Sequence, residues 1–378
     1  MIPVKHMAAG IVGVGLLVGN GSVGIAGEVN IGIFNSLTGA TAYGGVPIHN
    51  GMKLAINQAN ASGELGETKI RIVEGDTASD KGQSITLFNK FVQSDNALIV
   101  IGPTTSAEAN AVAPIANEYK TPLFAIGTSK DILKAGPWSF KVQEQGFDSM
   151  SALADYSIKK LGSKKIALIF NREIDGQIAQ KDGFKKSVVD QGATIVSEDG
   201  ILSADTDFLA LASRLAASDV DTIYLVPVNA EQCANIIIQL RQAGIGKTVK
   251  MVGPSTLASK TFVTHGGSAV EGTVVLADYF PSNPSEANQR FVKAYKDAYG
   301  ANPDNWAAMG YTLAQLTVKA IKQAGPNPDR SKVREQLSKL ENVPVLIGAG
   351  GWSVDQDRNP HYGGLILEVK KGDLSLAN

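Results

Sequence analysis

The 378-residue chain has one cysteine, Cys233. A lone thiol excludes an intramolecular disulfide, a Cys-cluster zinc site and an iron–sulfur cluster. No sign of charge dominates, with 35 Lys and Arg against 36 Asp and Glu. Without a basic excess to condense onto a phosphate backbone, nucleic acid is excluded as a partner. Aromatic residues are scarce at 6%, which also argues against a base-stacking surface. The four histidines, His6, His49, His265 and His361, form neither a His-x₃-His pair nor an HExxH motif. There is no Gly-x-Ser-x-Gly elbow and no Gly-x₄-Gly-Lys-[Ser/Thr] loop, so hydrolase and nucleotidase chemistry lack their signatures. Asp76-Thr-Ala-Ser-Asp80 lacks the glycine and closing glutamate of a calcium hand, and reads as a turn that caps a helix. No catalytic set, metal or cofactor is expected.

What is present begins with a leader. Lys5 precedes an uncharged, mostly apolar run from Ala8 to Val18, and Gly24-Ile25-Ala26 offers the small residues a signal peptidase reads. The run is too short to span a bilayer, which needs about 20 apolar residues. Residues 1–26 are therefore expected to be a signal peptide cleaved after Ala26, and the protein is expected in the periplasm. Gly13-x-Gly15 with Gly19 mimics a dinucleotide fingerprint, but the last glycine is one residue late and no strand-plus-acid context follows.

Beyond the leader, short apolar runs alternate with helical periodicity. Val29–Phe34, Ala97–Ile101 and Pro122–Ile126 read as strands, and so do Ile166–Phe170, Thr222–Val226 and Lys250–Val252. Between them lie helices such as Pro47–Ala61, Gln177–Gln191 and Ala230–Ala243. Fully apolar strands separated by helices predict parallel sheets covered on both faces. The rhythm runs twice, which predicts two α/β lobes. Cys233 falls among the apolar residues of one helix and reads as an inert buried thiol.

In such sheets ligands bind beyond the carboxyl ends of the strands, at helix N-termini. After Ala97–Ile101 comes Gly102-Pro-Thr-Thr-Ser-Ala-Glu108, in which Thr105 and Glu108 match a capping box and Ser106 opens the helix. Gly127-Thr-Ser-Lys130 repeats the arrangement after the next strand. These hydroxyls can simply cap helices. Alternatively, two polar strand ends side by side with free helix N–H groups can receive an anion.

Four segments carry a family resemblance: Asn35-Ser-Leu-Thr-Gly-Ala-Thr-Ala-Tyr-Gly-Gly45, Gly75-Asp-Thr-Ala-Ser-Asp80, Ile101-Gly-Pro-Thr-Thr-Ser106 and Phe291-Val-Lys-Ala-Tyr-Lys-Asp-Ala-Tyr-Gly300. In order and spacing they resemble the leucine/isoleucine/valine-binding proteins, type I periplasmic solute-binding proteins of ABC importers. The resemblance runs from about Val29 to Lys371. It implies two Rossmann-like lobes joined by three crossovers, near Lys141–Gln143, Leu276–Phe280 and Ile347–Ser353. The first lobe would then comprise residues 27–141 and 280–347, and the second residues 142–279 and 348–378. The implied role is a monomer that takes a small carboxylate-bearing ligand into the interlobe cleft and delivers it to the permease subunits of a membrane importer.

The same resemblance implies site residues. The serine that holds the ligand carboxylate falls on Ser106, with Gly127 and Ser129 on the next strand end and the aromatic of the first loop on Tyr43. From the second lobe, two frequent tyrosine positions are occupied by Asp175 and Val228, and the acid that pairs with a substrate amine is replaced by Ser255. The family's small disulfide is also missing, its positions being Ser79 and Thr105. The carboxylate half of the site matches and the amine half does not, which favours an amine-free acid, aromatic or aliphatic, slightly over a hydrophobic amino acid. Two other readings are a ligand-sensing module of the same fold in signalling and an α/β enzyme. The export signal without a membrane segment counts against the first, and the missing catalytic set against the second.

Overall fold

A computed structural model describes residues 27–227 and 229–377. The expected leader, residues 1–26, and Val228 lie outside the described residues. The chain first lays down β1 (Glu28–Asn35), α1 (Ala42–Ser62), β2 (Lys69–Asp76), α2 (Lys81–Gln93), β3 (Ile99–Ile101), α3 (Ser106–Glu118), β4 (Leu123–Ala125), α4 (Asp131–Lys134) and β5 (Ser139–Lys141). These strands form one all-parallel sheet in the order β2-β1-β3-β4-β5.

The rhythm restarts with α5 (Ser151–Lys159), β6 (Lys165–Asn171), α6 (Asp175–Asp190), β7 (Thr194–Ile201), α7 (Leu209–Ala216), β8 (Thr222–Val226), α8 (Ala230–Gln242), β9 (Lys250–Gly253), α9 (Lys260–Gly266) and β10 (Val274–Ala277). The chain then returns to the first lobe as α10 (Glu286–Tyr299), α11 (Asn305–Gln323), α12 (Arg330–Leu337), β11 (Val343–Pro344), β12 (Gly351–Val354) and β13 (Pro360–His361). It ends with β14 (Leu365–Lys370) and β15 (Asp373–Leu376), an antiparallel pair added to the second sheet, whose order is β15-β14-β10-β9-β8-β6-β7. Each lobe is thus a doubly wound α/β layer structure with its own apolar cores.

The parallel strands of both lobes follow the 2-1-3-4-5 order. Its topological switch point lies between the first and third strands, where neighbouring loops diverge and leave a crevice at the carboxyl ends. In the first lobe that point is between β1 and β3, so the loop after Asn35 and the Gly102–Thr105 loop face each other.

One boundary differs from expectation. The third crossover does not lie near Ile347–Ser353, because β12 and β13 pack with the first lobe. Trp352 is fully buried in the first-lobe core, its ring 5.8 Å from Phe124, and its indole Nε1 donates to the Val142 carbonyl at 3.0 Å. Arg358 donates to the carbonyls of Leu133, Gly136 and Ser139. The chain therefore passes into the second lobe between His361 and Leu365, and residues 348–361 leave the second-lobe assignment. Strands of two to four residues carry too little periodicity to mark this boundary in the sequence.

Helix α1 also begins earlier than its periodicity suggests, with Pro47 inside it. Gly45 permits the extension: a Cβ there would stand 2.0 Å from the Ser36 carbonyl oxygen. The first turn can therefore press onto the loop after β1, which brings Tyr43 to the crevice.

Candidate functional site

Ser106 is the first residue of α3, directly after the N-cap Thr105. The capping box is formed: the Glu108 amide donates to Thr105 Oγ1 at 3.2 Å, and the Thr105 amide donates to Glu108 Oε2 at 3.0 Å. Glu108 is buried and also accepts from the hydroxyls of Ser36 and Ser84. With Thr105 carrying the cap, the Ser106 hydroxyl is released from that duty. Its oxygen instead accepts from the Thr128 amide at 3.1 Å and the Ser129 amide at 3.3 Å.

A hydroxyl has two acceptor lone pairs and one donor hydrogen. Both acceptor sites of Ser106 are taken by N–H groups, so its hydrogen is left to donate. Ser129 is arranged in the same way, its Oγ accepting from Asn110 Nδ2 at 3.3 Å and from the Asp131 amide at 3.2 Å. Two hydroxyl hydrogens at adjacent strand ends, beside a helix N-terminus, constitute a donor-only surface suited to a carboxylate.

Gly127 makes the approach possible. Its φ is +129°, and a Cβ on it would lie 2.7 Å from Ser106 Oγ. Gly127 lines a recess of about 270 Å³ with Tyr43, Ser106, Thr128, Gln143 and Trp306. Tyr43 is 72% exposed and stands edge-on to Trp306, ring centroids 6.4 Å apart at 76°. The sequence did not single out Trp306, which comes from the first turn of α11. Its only signal is an aromatic two residues after the helix cap Asp304, whose side chain accepts from the Ala307 amide at 2.8 Å.

A second cavity of about 940 Å³ shares Ser106 and Thr128 with the first and reaches across to the second lobe. Its walls include Ser129 from one lobe and Phe147, Asp175 and Gly176 from the other. Asp175, the first residue of α6, thus stands on the cleft wall. Glu173 does not supply a second free acid, since its carboxylate accepts from the Ser203 amide at 2.7 Å. Ser255 opens a short 3₁₀ turn after β9 and lies on the wall of neither cavity.

The loop that leads into α1 and Tyr43 is fixed from below. Asp76 accepts from the amides of Leu37, Thr38 and Ala78 and from the Thr38 hydroxyl, and Asp80 caps α2 through the Gln83 amide. The segment 76–80 is therefore the helix-capping turn its sequence suggests. Among the described residues no cluster of His, Cys, Asp or Glu is arranged to hold a metal. Cys233 is fully buried in the second-lobe core, where burial pushes its thiol pKa up.

The profile of the periplasmic binding protein family matches residues 28–373. The chain belongs to that family. Among its relatives, this periplasmic binding protein is 27% identical over 342 residues to the Leu/Ile/Val-binding protein homolog 1 of Brucella suis, covering 90% of each chain. A solved structure from Rhodospirillum rubrum has the same fold, with a TM-score of 0.86 at 24% identity over 93% of this chain and 100% of that one. A solute binding protein of an ABC transporter from Rhodopseudomonas palustris BisB5, solved with 3,4-dihydroxy benzoic acid, has a TM-score of 0.72 at 25% identity. That match covers 92% of this chain and 95% of the other. The type I fold and the solute-binding class are therefore those of this chain, and the relatives are binding proteins rather than enzymes.

Proposed function

We propose that this chain is the extracytoplasmic receptor of an ABC importer. In this reading it holds a small organic carboxylate between its lobes as a monomer and delivers it to the membrane permease. The supporting observation is the paired hydroxyls of Ser106 and Ser129, each with its acceptor side filled by N–H groups and its hydrogen free to donate. Tyr43 and Trp306 give the ligand's apolar body an aromatic wall on the first lobe, and Asp175 and Phe147 approach it from the second. The lobes close about the three crossovers, and the importer reads that change of shape.

Among carboxylates, an aromatic or aliphatic acid is favoured over a hydrophobic amino acid. An ammonium inside a closed cleft needs an opposing charge, because burying it unpaired costs several kcal/mol. Ser255 supplies none, and of the acids on the cleft wall Asp131 pairs with Lys134 and Asp182 with Lys181, so an amino acid would draw on Asp175. The 3,4-dihydroxy benzoic acid bound by the Rhodopseudomonas palustris relative supports the aromatic class, and the Leu/Ile/Val-binding name of the Brucella suis relative the amino acid class.

A thermal-shift screen with aromatic acids, short aliphatic acids, their amides and amino acids tests the reading. Ligand at 100 times its Kd stabilises by about 2.7 kcal/mol. Acids are expected to raise the melting midpoint and their amides are not. Amides matching the acids would overturn the carboxylate assignment. Leucine, isoleucine or valine giving the largest shift, abolished by Asp175→Asn, would overturn the preference for amine-free ligands.

A further inference from the structure

Lys141 ends β5 and is fully buried. Its ammonium makes no ion pair with any described residue, and its partners are two carbonyls, Gln143 O at 2.9 Å and Thr128 O at 3.4 Å. Burial lowers its pKa to about 8, with the charges of Asp148 and Glu144 opposing the shift, so it is largely protonated at neutral pH. Glu144 is turned to the third crossover, where its Oε1 accepts from the amides of Tyr362 and Gly363. A buried cation without a neutralising partner is costly and calls for a reason.

The reason lies one peptide away. The Thr128 carbonyl that accepts from Lys141 belongs to the same peptide group as the Ser129 N–H, and that N–H donates to Ser106 Oγ. A cation on the carbonyl end strengthens the N–H end as a donor, and a stronger donor into Ser106 Oγ makes the Ser106 hydroxyl a better donor in turn. We propose that Lys141 is the counter-charge of the bound anion, a positioning residue that acts through the Thr128–Ser129 peptide and makes the site select ionised carboxylates over neutral isosteres. This inference rests on the assignment of the carboxylate to Ser106.

The test is calorimetric titration of benzoate and of its neutral isostere benzamide into the mature protein, Lys141→Met, Lys141→Arg and Ser106→Ala. Lys141→Met is expected to weaken benzoate by about tenfold, the scale of one charge in a partly buried medium, and to leave benzamide unchanged. Lys141→Arg is expected to keep the preference for benzoate. Should Lys141→Met fail to fold, the wild type decides: its benzoate affinity should fall between pH 7 and pH 10 while benzamide holds. Equal losses for both ligands, or none, with a preference that does not change with pH, would overturn the role of Lys141 provided Ser106→Ala still weakens benzoate. Benzoate binding unaffected by Ser106→Ala, or a wild type that binds neither benzoate nor any other acid of the thermal-shift screen, would instead overturn the carboxylate assignment and this inference with it.

Discussion

Gly127 and Ser106 approach so closely that a methyl group on Gly127 would stand 2.7 Å from the Ser106 hydroxyl oxygen. They belong to different strand ends, and their contact joins two loops into one surface of hydroxyl and amide groups.

Gly127→Ala should therefore disrupt that surface twice. The new Cβ displaces Ser106, and φ +129° is a region that costs a side-chain-bearing residue on the order of 1–3 kcal/mol. Calorimetry should give at least about a tenfold loss of acid binding, and thermal melting a lower midpoint. Unchanged affinity would show that Ser106 does not need this approach.

Trp306→Ala removes the partner of Tyr43 and one wall of the recess. Losing that apolar surface should cost an aromatic acid about 1.5–3 kcal/mol, a 10- to 150-fold weaker Kd. A short aliphatic acid should lose less. Equal losses for both would place the ring's effect in fold stability rather than in the wall.

The three crossovers meet around Tyr362. Its hydroxyl donates to Asp278 Oδ1 at 3.0 Å, and its amide donates to Glu144 Oε1 at 2.6 Å. Burial pushes Asp278 up to about 6; the hydrogen bond from Tyr362 opposes the shift and the Glu144 charge adds to it. An unfolded Asp titrates near about 3.9, so between these values the folded chain keeps a proton that the unfolded chain has lost. Stability should thus fall as pH rises from about 4 to about 6 and stay lower above that window. Asp278→Asn removes the penalty, so at pH 7.5 it should stabilise the fold by about 3 kcal/mol relative to wild type and raise the melting midpoint, and at pH 4 hardly at all. Melting curves that shift equally at both pH values would contradict this.

The sheets and the helix cap beside Ser106 were legible in the sequence because their signals are local. Short continuous apolar runs such as Ile166–Phe170, set between helical stretches, fit strands covered on both faces, and Thr105 with Glu108 announces the cap that frees Ser106. Trp306 was not legible, since it reaches the recess from α11, two hundred residues along the chain from Ser106. Nor was the third crossover, where Trp352 and Arg358 decide the lobe by contacts with Phe124, Val142 and Ser139. Such contacts leave no periodicity behind. Asp175 was legible as an acid before a glycine, but only the placement of α6 across the cleft puts it on the wall.

The central claim is that Ser106 donates to a ligand carboxylate, and calorimetric titration of the acid giving the largest thermal shift tests it most directly. A hydrogen bond to a charged group contributes roughly 1.5–3 kcal/mol. Ser106→Ala should therefore bind that acid about 10- to 150-fold more weakly while melting close to wild type, because Thr105 carries the helix cap. An unchanged Kd in Ser106→Ala would contradict the account.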